Sequence, residues 1–207
     1  SKKMLKESRS KTASFLSAHL DEIIFTSGGT ESSNIAILGT FEFLLKETGG
    51  NLKNFHAVTS ATEHSSVIEV FKGLEKKGLK VMYLQVSEDG LIDISELKKS
   101  LRGETAVVSI MYANNEIGTV QPIREIAKIV RHAKNPLFHT DAAQAACFQE
   151  LNVERLGVDL LTLDGSKAYG PRGIGALYIR RNTPIEPIIF GGGQEKGMMS
   201  GTENIPA

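Results

Sequence analysis

A single cysteine, six prolines, no excess of either charge and no long apolar run mark this sequence, and each scarcity excludes something. One Cys in 207 residues rules out an internal disulfide framework and any multi-cysteine metal site, and it suits a reducing compartment such as the cytoplasm, with organelles still open. Six Pro beside 23% charged residues argue against a disordered chain. Lys+Arg 24 against Asp+Glu 24 leaves no general field for gathering nucleic acid or an anionic membrane surface. No apolar stretch approaches the roughly 18–20 residues of a membrane span. What remains is an ordinary globular composition, with the length of one large domain or most of one.

What is present is an alternation. Short β-rich runs occur at 22–26, 55–60, 80–86, 105–111, 136–140, 158–163 and 175–180. Helical spacing of apolar residues fills 32–47, 65–77, 93–101 and 123–133 between them. Nearly continuous apolar strands separated by helices predict an α/β fold of three layers: a mostly parallel, seven-stranded sheet with helices on both faces. The last two runs are joined without room for a long helix, so one of those strands is expected to run antiparallel. Residues 2–11 hold Lys2, Lys3, Lys6, Arg9 and Lys11 against Glu7. A solvated helix face is preferred there to a targeting segment.

Polar residues gather where strands end. Gly28-Gly29-Thr30 follows the first run, Glu63-His64 the second, Asn114-Asn115-Glu116 the fourth, Asp141 with Gln144 the fifth, and Ser166-Lys167 the sixth. Open α/β sheets bind ligands outside the carboxyl ends of their strands, so five such ends make a candidate site. Each element also has a plainer reading. Ser27 or Thr30 would serve as a helix cap, His64 as a capping or packing histidine, Asn114-Asn115 as a turn, Asp141 as a cap and Lys167 as a solvated loop residue. Gly170, Gly173 and Gly175 precede a strand and so fail the context of a dinucleotide fingerprint. Cys147, in the small-residue stretch AAQAACFQ, is expected to be a buried structural thiol.

Taken together, the set suits pyridoxal 5'-phosphate. That cofactor needs a lysine for its carbonyl carbon, a carboxylate for the ring nitrogen, a phosphate cradle and a flat group over the ring. Lys167, Asp141, the helix start at Gly29-Thr30 and His64 supply one of each.

At this point the sequence resembles a known family. FTSGGTESSNIAI, SATEHSSV, SIMYANNEIGTVQPI, HTDAAQA, GSKAYGPRGIGALYIRR and GGGQEKGMMSGTENIP are similar, in order, to the signatures of the cysteine desulfurases, class V aminotransferase-type enzymes close to the selenocysteine lyases. The resemblance implies the large domain of a pyridoxal-phosphate-dependent transferase over 1–207. The family's N-terminal segment and C-terminal small domain would lie outside this stretch, together with the persulfide-forming Cys and the Arg that holds the substrate carboxylate. The stretch alone is therefore expected to be inactive.

The resemblance also implies roles. Lys167 would hold the cofactor and move the substrate's α-proton, Asp141 would pair with the ring nitrogen, Gln144 would bond the ring's phenolic oxygen, and His64 would stack on the ring. Asn115 would lie beside the ring, and Gly29 and Thr30 would bind the phosphate. Thr202 would reach the phosphate in the neighbouring subunit of a homodimer. The implied reaction removes sulfur from L-cysteine, giving alanine and a persulfide for a sulfur-acceptor protein, as in iron–sulfur cluster assembly. A selenocysteine lyase or another class V lyase is the nearest alternative, and a non-catalytic scaffold is the alternative of a different kind.

Several positions depart from the pattern. Asp164 stands where the family commonly has a small hydroxyl residue near the phosphate, and Ser166 where it usually has His. Lys196 and Met199 replace residues that are usually Arg. A carboxylate 4 Å from one phosphate charge costs about 4 kcal/mol at an effective dielectric near 20. Asp164 is therefore expected either to turn away to cap or pair elsewhere, with Arg172 or Lys196 as candidate partners, or to weaken cofactor binding. The second outcome is preferred.

Overall fold

The computed structural model describes residues 2–133 and 136–206. Seven strands form one sheet: β1 (Ile23–Thr26), β2 (His56–Ser60), β3 (Lys80–Leu84), β4 (Thr105–Ser109), β5 (Leu137–Asp141), β6 (Leu160–Asp164) and β7 (Gly175–Ile179). Their order across the sheet is β1-β7-β6-β5-β4-β2-β3. Strands β2 to β6 pair in parallel, and β7 runs antiparallel to both of its neighbours. The short connection from β6 to β7 forces that reversal, since a parallel return would need a crossover of a dozen or more residues.

The helices are α1 (Lys2–Leu16), α2 (Gly29–Thr48), α3 (Ser65–Lys76), α4 (Ile94–Ser100), α5 (Ile123–His132) and α6 (Val153–Leu156). Alternation along the strands sorts them into two layers. Val58, Val108, Phe138, Leu161 and Tyr178 pack with Leu16, Leu97, Ile126 and Leu156, which places α1, α4, α5 and α6 over one face. The adjacent strand residues Ala57 and Val107 pack with Phe41 and Phe71 of α2 and α3. Ile24, Leu160 and Leu177 meet Ile35 and Ala36 of α2. Successive side chains point to opposite faces, so five-residue strands buried almost throughout, such as β2, β4, β5 and β6, must be covered on both.

Three expectations need correction. Strand pairing ends at Leu84 and Ser109, short of Val86 and Met111, because Val86 pairs instead with Ile92 in an isolated antiparallel bridge and the Met111 N–H bonds the Glu63 side chain. The second helix starts at Gly29, three residues before the apolar periodicity begins. Cys147 is exposed rather than buried, because its small-residue stretch forms a surface turn after β5. The basic face of α1 is solvated as expected except at Arg9, which is largely buried in an ion pair with Glu195. No helix among the described residues is long and apolar enough to cross a membrane.

Candidate active site

The carboxyl ends of five strands converge on one cleft of about 80 Å³. Gly29 and Thr30 enter it after β1, His64 and Ser66 after β2, Met111, Ala113 and Asn115 after β4, Asp141 at the end of β5 with Ala143 and Gln144 beyond it, and Asp164 at the end of β6 with Lys167 beyond it. Of the ten residues singled out in the sequence, eight line this cleft. Ser166 and Thr202 do not.

Each loop is held in a way that aims its functional side chain. His64 is the N-cap of α3: its Nδ1 accepts the Ser66 N–H at 3.2 Å and lies 2.8 Å from Ser66 Oγ. One ring therefore both caps α3 and lines the cleft. The two asparagines divide the work. Asn114 Oδ1 accepts the N–H groups of Glu116 and Ile117 at 2.8 and 3.0 Å, and its Nδ2 donates to Thr62 O at 3.0 Å, which leaves Asn115 facing the cleft.

Asp141 is only 6% exposed, and its Oδ1 accepts the Ala143 N–H at 2.9 Å. Burial pushes its carboxyl above the usual range, with the Ala143 N–H opposing and Asp164 adding to the rise. A carboxyl in that state gains from a cationic partner, which a protonated ring nitrogen would supply. Lys167 sits at the rim, exposed, in a single 3-10 turn over Gly165–Ala168.

The first turn of α2 is the surprise. Neither Ser27 nor Thr30 caps it. Gly28 occupies the cap position without a side chain, and Asp164 Oδ2 accepts the Gly29 N–H at 3.0 Å across the sheet. Oδ1 of the same carboxylate accepts the Ser166 N–H at 2.8 Å and the Ser166 hydroxyl at 2.6 Å. Asp164 thus does cap, but on the helix start expected to cradle phosphate. Gly175 of β7 closes this corner from behind, where a Cβ would meet the Gly28 backbone at 2.7 Å. The ring end of the cleft fits pyridoxal: a buried carboxylate, an amine, an imidazole and an amide face one space. The phosphate end already contains an anion.

Thr202 lies elsewhere, in a cleft of about 280 Å³ between α1, the end of β1 and the segment after β7. Lys196 Nζ donates to Asp21 O at 2.5 Å, so it is not the partner of Asp164. Sequence reasoning passed over Ser66, Met111 and Ala143 as lining residues, and it gave Glu63 no role. Their only signal was adjacency to residues already marked at the strand ends.

Residues 1–206 match the aminotransferase class-V family. The chain is 49% identical over 201 residues to the cysteine desulfurase IscS of Dictyoglomus turgidum, covering 97% of this chain and 49% of that protein. It is 46% identical over 208 residues to the mitosomal cysteine desulfurase of Trachipleistophora hominis, covering 100% of this chain and 46% of that protein. Among solved structures, a NifS-like protein matches with TM-score 0.92 at 39% identity, over 98% of this chain and 54% of that one. SspA in complex with cysteine matches with TM-score 0.90 at 40% identity, over 99% and 57%. The chain spans about half the length of the curated relatives it matches.

Proposed function

The chain belongs to the aminotransferase class-V family, and from that premise we propose that it is the large domain of a pyridoxal-phosphate-dependent cysteine desulfurase that takes sulfur from L-cysteine and leaves alanine. The observation that carries this reading is the convergence of Lys167, Asp141, His64, Asn115 and Gln144 on one cleft from four different strand ends. When bound, the cofactor supplies an electron sink for bonds broken at the substrate's α-carbon.

The chain's own residues hold and steer that group. Asp141, buried and in need of a cation, would pair with the ring nitrogen. His64, locked by Ser66, would cover the ring, and Asn115 would flank it. Gln144 would donate to the ring oxygen. Lys167 Nζ would hold the carbonyl carbon and, once displaced there by the substrate's amine, would take and return the α-proton, a task its exposed position at the rim permits. Thr202, outside this cleft, serves the neighbouring protomer of a homodimer. The persulfide forms on a cysteine other than Cys147, which does not line the cleft, and passes to a sulfur-acceptor protein. The compartment is the cytoplasm or an organelle, in keeping with relatives named as bacterial, mitosomal and mitochondrial proteins.

Borohydride reduction of the protein mixed with pyridoxal or its phosphate, followed by peptide mapping, tests the reading. The label is expected on Lys167, and Asp141→Ala is expected to lose most of the substrate-induced spectral change while remaining folded. A label on another lysine, or on none, refutes the assignment.

A further inference from the structure

The corner formed by Gly28, Gly29, Asp164 and Ser166 bears on which form of the cofactor the cleft accepts, given the reading above. A helix start that faces a cleft with free N–H groups attracts an anion, through both the hydrogen bonds and the helix dipole. Here α2, 20 residues long, opens with Gly29, and its N–H is already bonded to Asp164 Oδ2 at 3.0 Å. The fit is close: a Cβ at Gly28 or Gly29 would lie 3.3 or 3.4 Å from that oxygen. The other oxygen is occupied by Ser166 through its N–H and its hydroxyl. One carboxylate therefore ties the start of α2 to the turn that carries Lys167.

Asp164 stays charged in this position. Burial pushes its carboxyl up, but hydrogen bonds from the Ser166 hydroxyl and from the N–H groups of Gly29, Ser166 and Lys167 outweigh burial and hold it below the usual range. Its hydrogen-bond partners among the described residues are all neutral groups, and Lys196 is engaged at Asp21. A phosphate entering this corner would meet a fixed negative charge where it needs a donor.

We propose that Asp164 is the resident anion of the α2 N-terminus, so that the cleft takes pyridoxal through its ring-binding residues and draws no net affinity from a phosphate tail. The ring is recognised by Asp141, His64, Gln144 and Lys167, none of which depends on the tail. Replacing Asp164 by a neutral hydrogen-bonding residue frees the helix start for phosphate. Ser and Asn both cap helices well, so the corner keeps its fold in either variant.

The test is a titration of the ligand-free protein with pyridoxal and, separately, with pyridoxal phosphate, followed by the visible absorbance band. In the native protein the two affinities are expected to agree within about threefold. In Asp164→Ser and Asp164→Asn, pyridoxal phosphate is expected to bind at least tenfold tighter than in the native protein, with pyridoxal essentially unchanged. Inorganic phosphate is expected to raise the melting temperature of Asp164→Ser and not that of the native protein, a readout that needs no cofactor. A native protein that prefers the phosphorylated form by tenfold or more, or unchanged affinity in both variants, overturns the proposal. If Lys167 is still labelled in that case, only this inference falls. If neither vitamer binds any of the three proteins, the cofactor reading falls and this inference falls with it.

Discussion

Glu63 Oε1 accepts the backbone N–H of Met111 at 2.6 Å, and through this bond the loop after β2 holds the loop after β4. Both loops feed the cleft, with His64 next to Glu63 and Asn115 just beyond Met111. The other oxygen, Oε2, is buried without a partner among the described residues. Burial is the main force on this carboxyl and drives it well above 4.5. The Met111 N–H opposes that shift, and the nearby Asp141 reinforces it. Burial thus favours the protonated form of Glu63 in the folded protein.

Its titration has a definite sign. A carboxyl raised in the folded state contributes stability that is present below its unfolded value near 4.5 and is lost as the pH rises. Glu63→Gln keeps the acceptor for Met111 and removes the proton, so its stability relative to the native protein should increase as the pH rises above 4.5 in urea denaturation. A difference that does not change with pH refutes the upward shift of Glu63. Glu63→Ala leaves the Met111 N–H unpaired and should cost about 1–3 kcal/mol.

His139 works in the opposite direction. Its ring is fully buried, with Nδ1 2.8 Å from Ser109 Oγ and Nε2 3.0 Å from Thr162 Oγ1. Burial lowers its pKa from 6.5 to about 3. The unfolded chain takes up a proton below 6.5 that the folded chain refuses, so stability present above that value is lost as the pH falls. The slope is about 1.4 kcal/mol per pH unit. His139→Gln should be less stable at neutral pH but lose less on acidification across that window, as denaturant titrations at several pH values would show. An identical acid response in both proteins would mean that His139 is not the group responsible.

Arg9 and Glu195 join α1 to the segment after β7. The guanidinium donates two hydrogen bonds to Glu195, at 2.8 and 2.6 Å, and a third to Ile23 O at 2.6 Å, and the side chains are only 18% and 4% exposed. Glu195 also accepts the Phe25 N–H at 2.8 Å, and Arg9 lies 4.8 Å from the centre of the Phe25 ring. Removing either partner strands a buried charge, so Glu195→Ala or Arg9→Ala should each cost about 3–5 kcal/mol. The double variant should cost clearly less than the sum of the two. Strict additivity in a double-mutant cycle would show that the pair is not coupled.

Sequence periodicity alone pointed to the sheet, its mostly parallel character and a reversal at one of the last two strands, which the structure assigns to β7. Those properties follow from local patterns: apolar runs of strand length, helical spacing between them, and a connection too short for a crossover. The same logic pointed to the candidate site, because Gly29, His64, Asn115, Asp141 and Lys167 each sit at or shortly after the end of a strand, and parallel strands end on one side. Cys147 was misread because a stretch of small residues looks alike in a core and in a surface turn. Arg9 was read as solvated because its partner lies far along the chain and leaves no local mark.

The tertiary structure alone decided what the phosphate corner contains. Asp164 and Gly29 are 135 positions apart, and although the resemblance marks each as near the phosphate, no local pattern pairs them. An aspartate at the end of a strand can cap its own next turn, bond a distant helix or face solvent, and no spacing rule separates the three. The order of strands places only β7 between β1 and β6, bringing the end of β6 against the start of α2. The missing side chain at Gly28 then lets the carboxylate reach the first N–H of that helix.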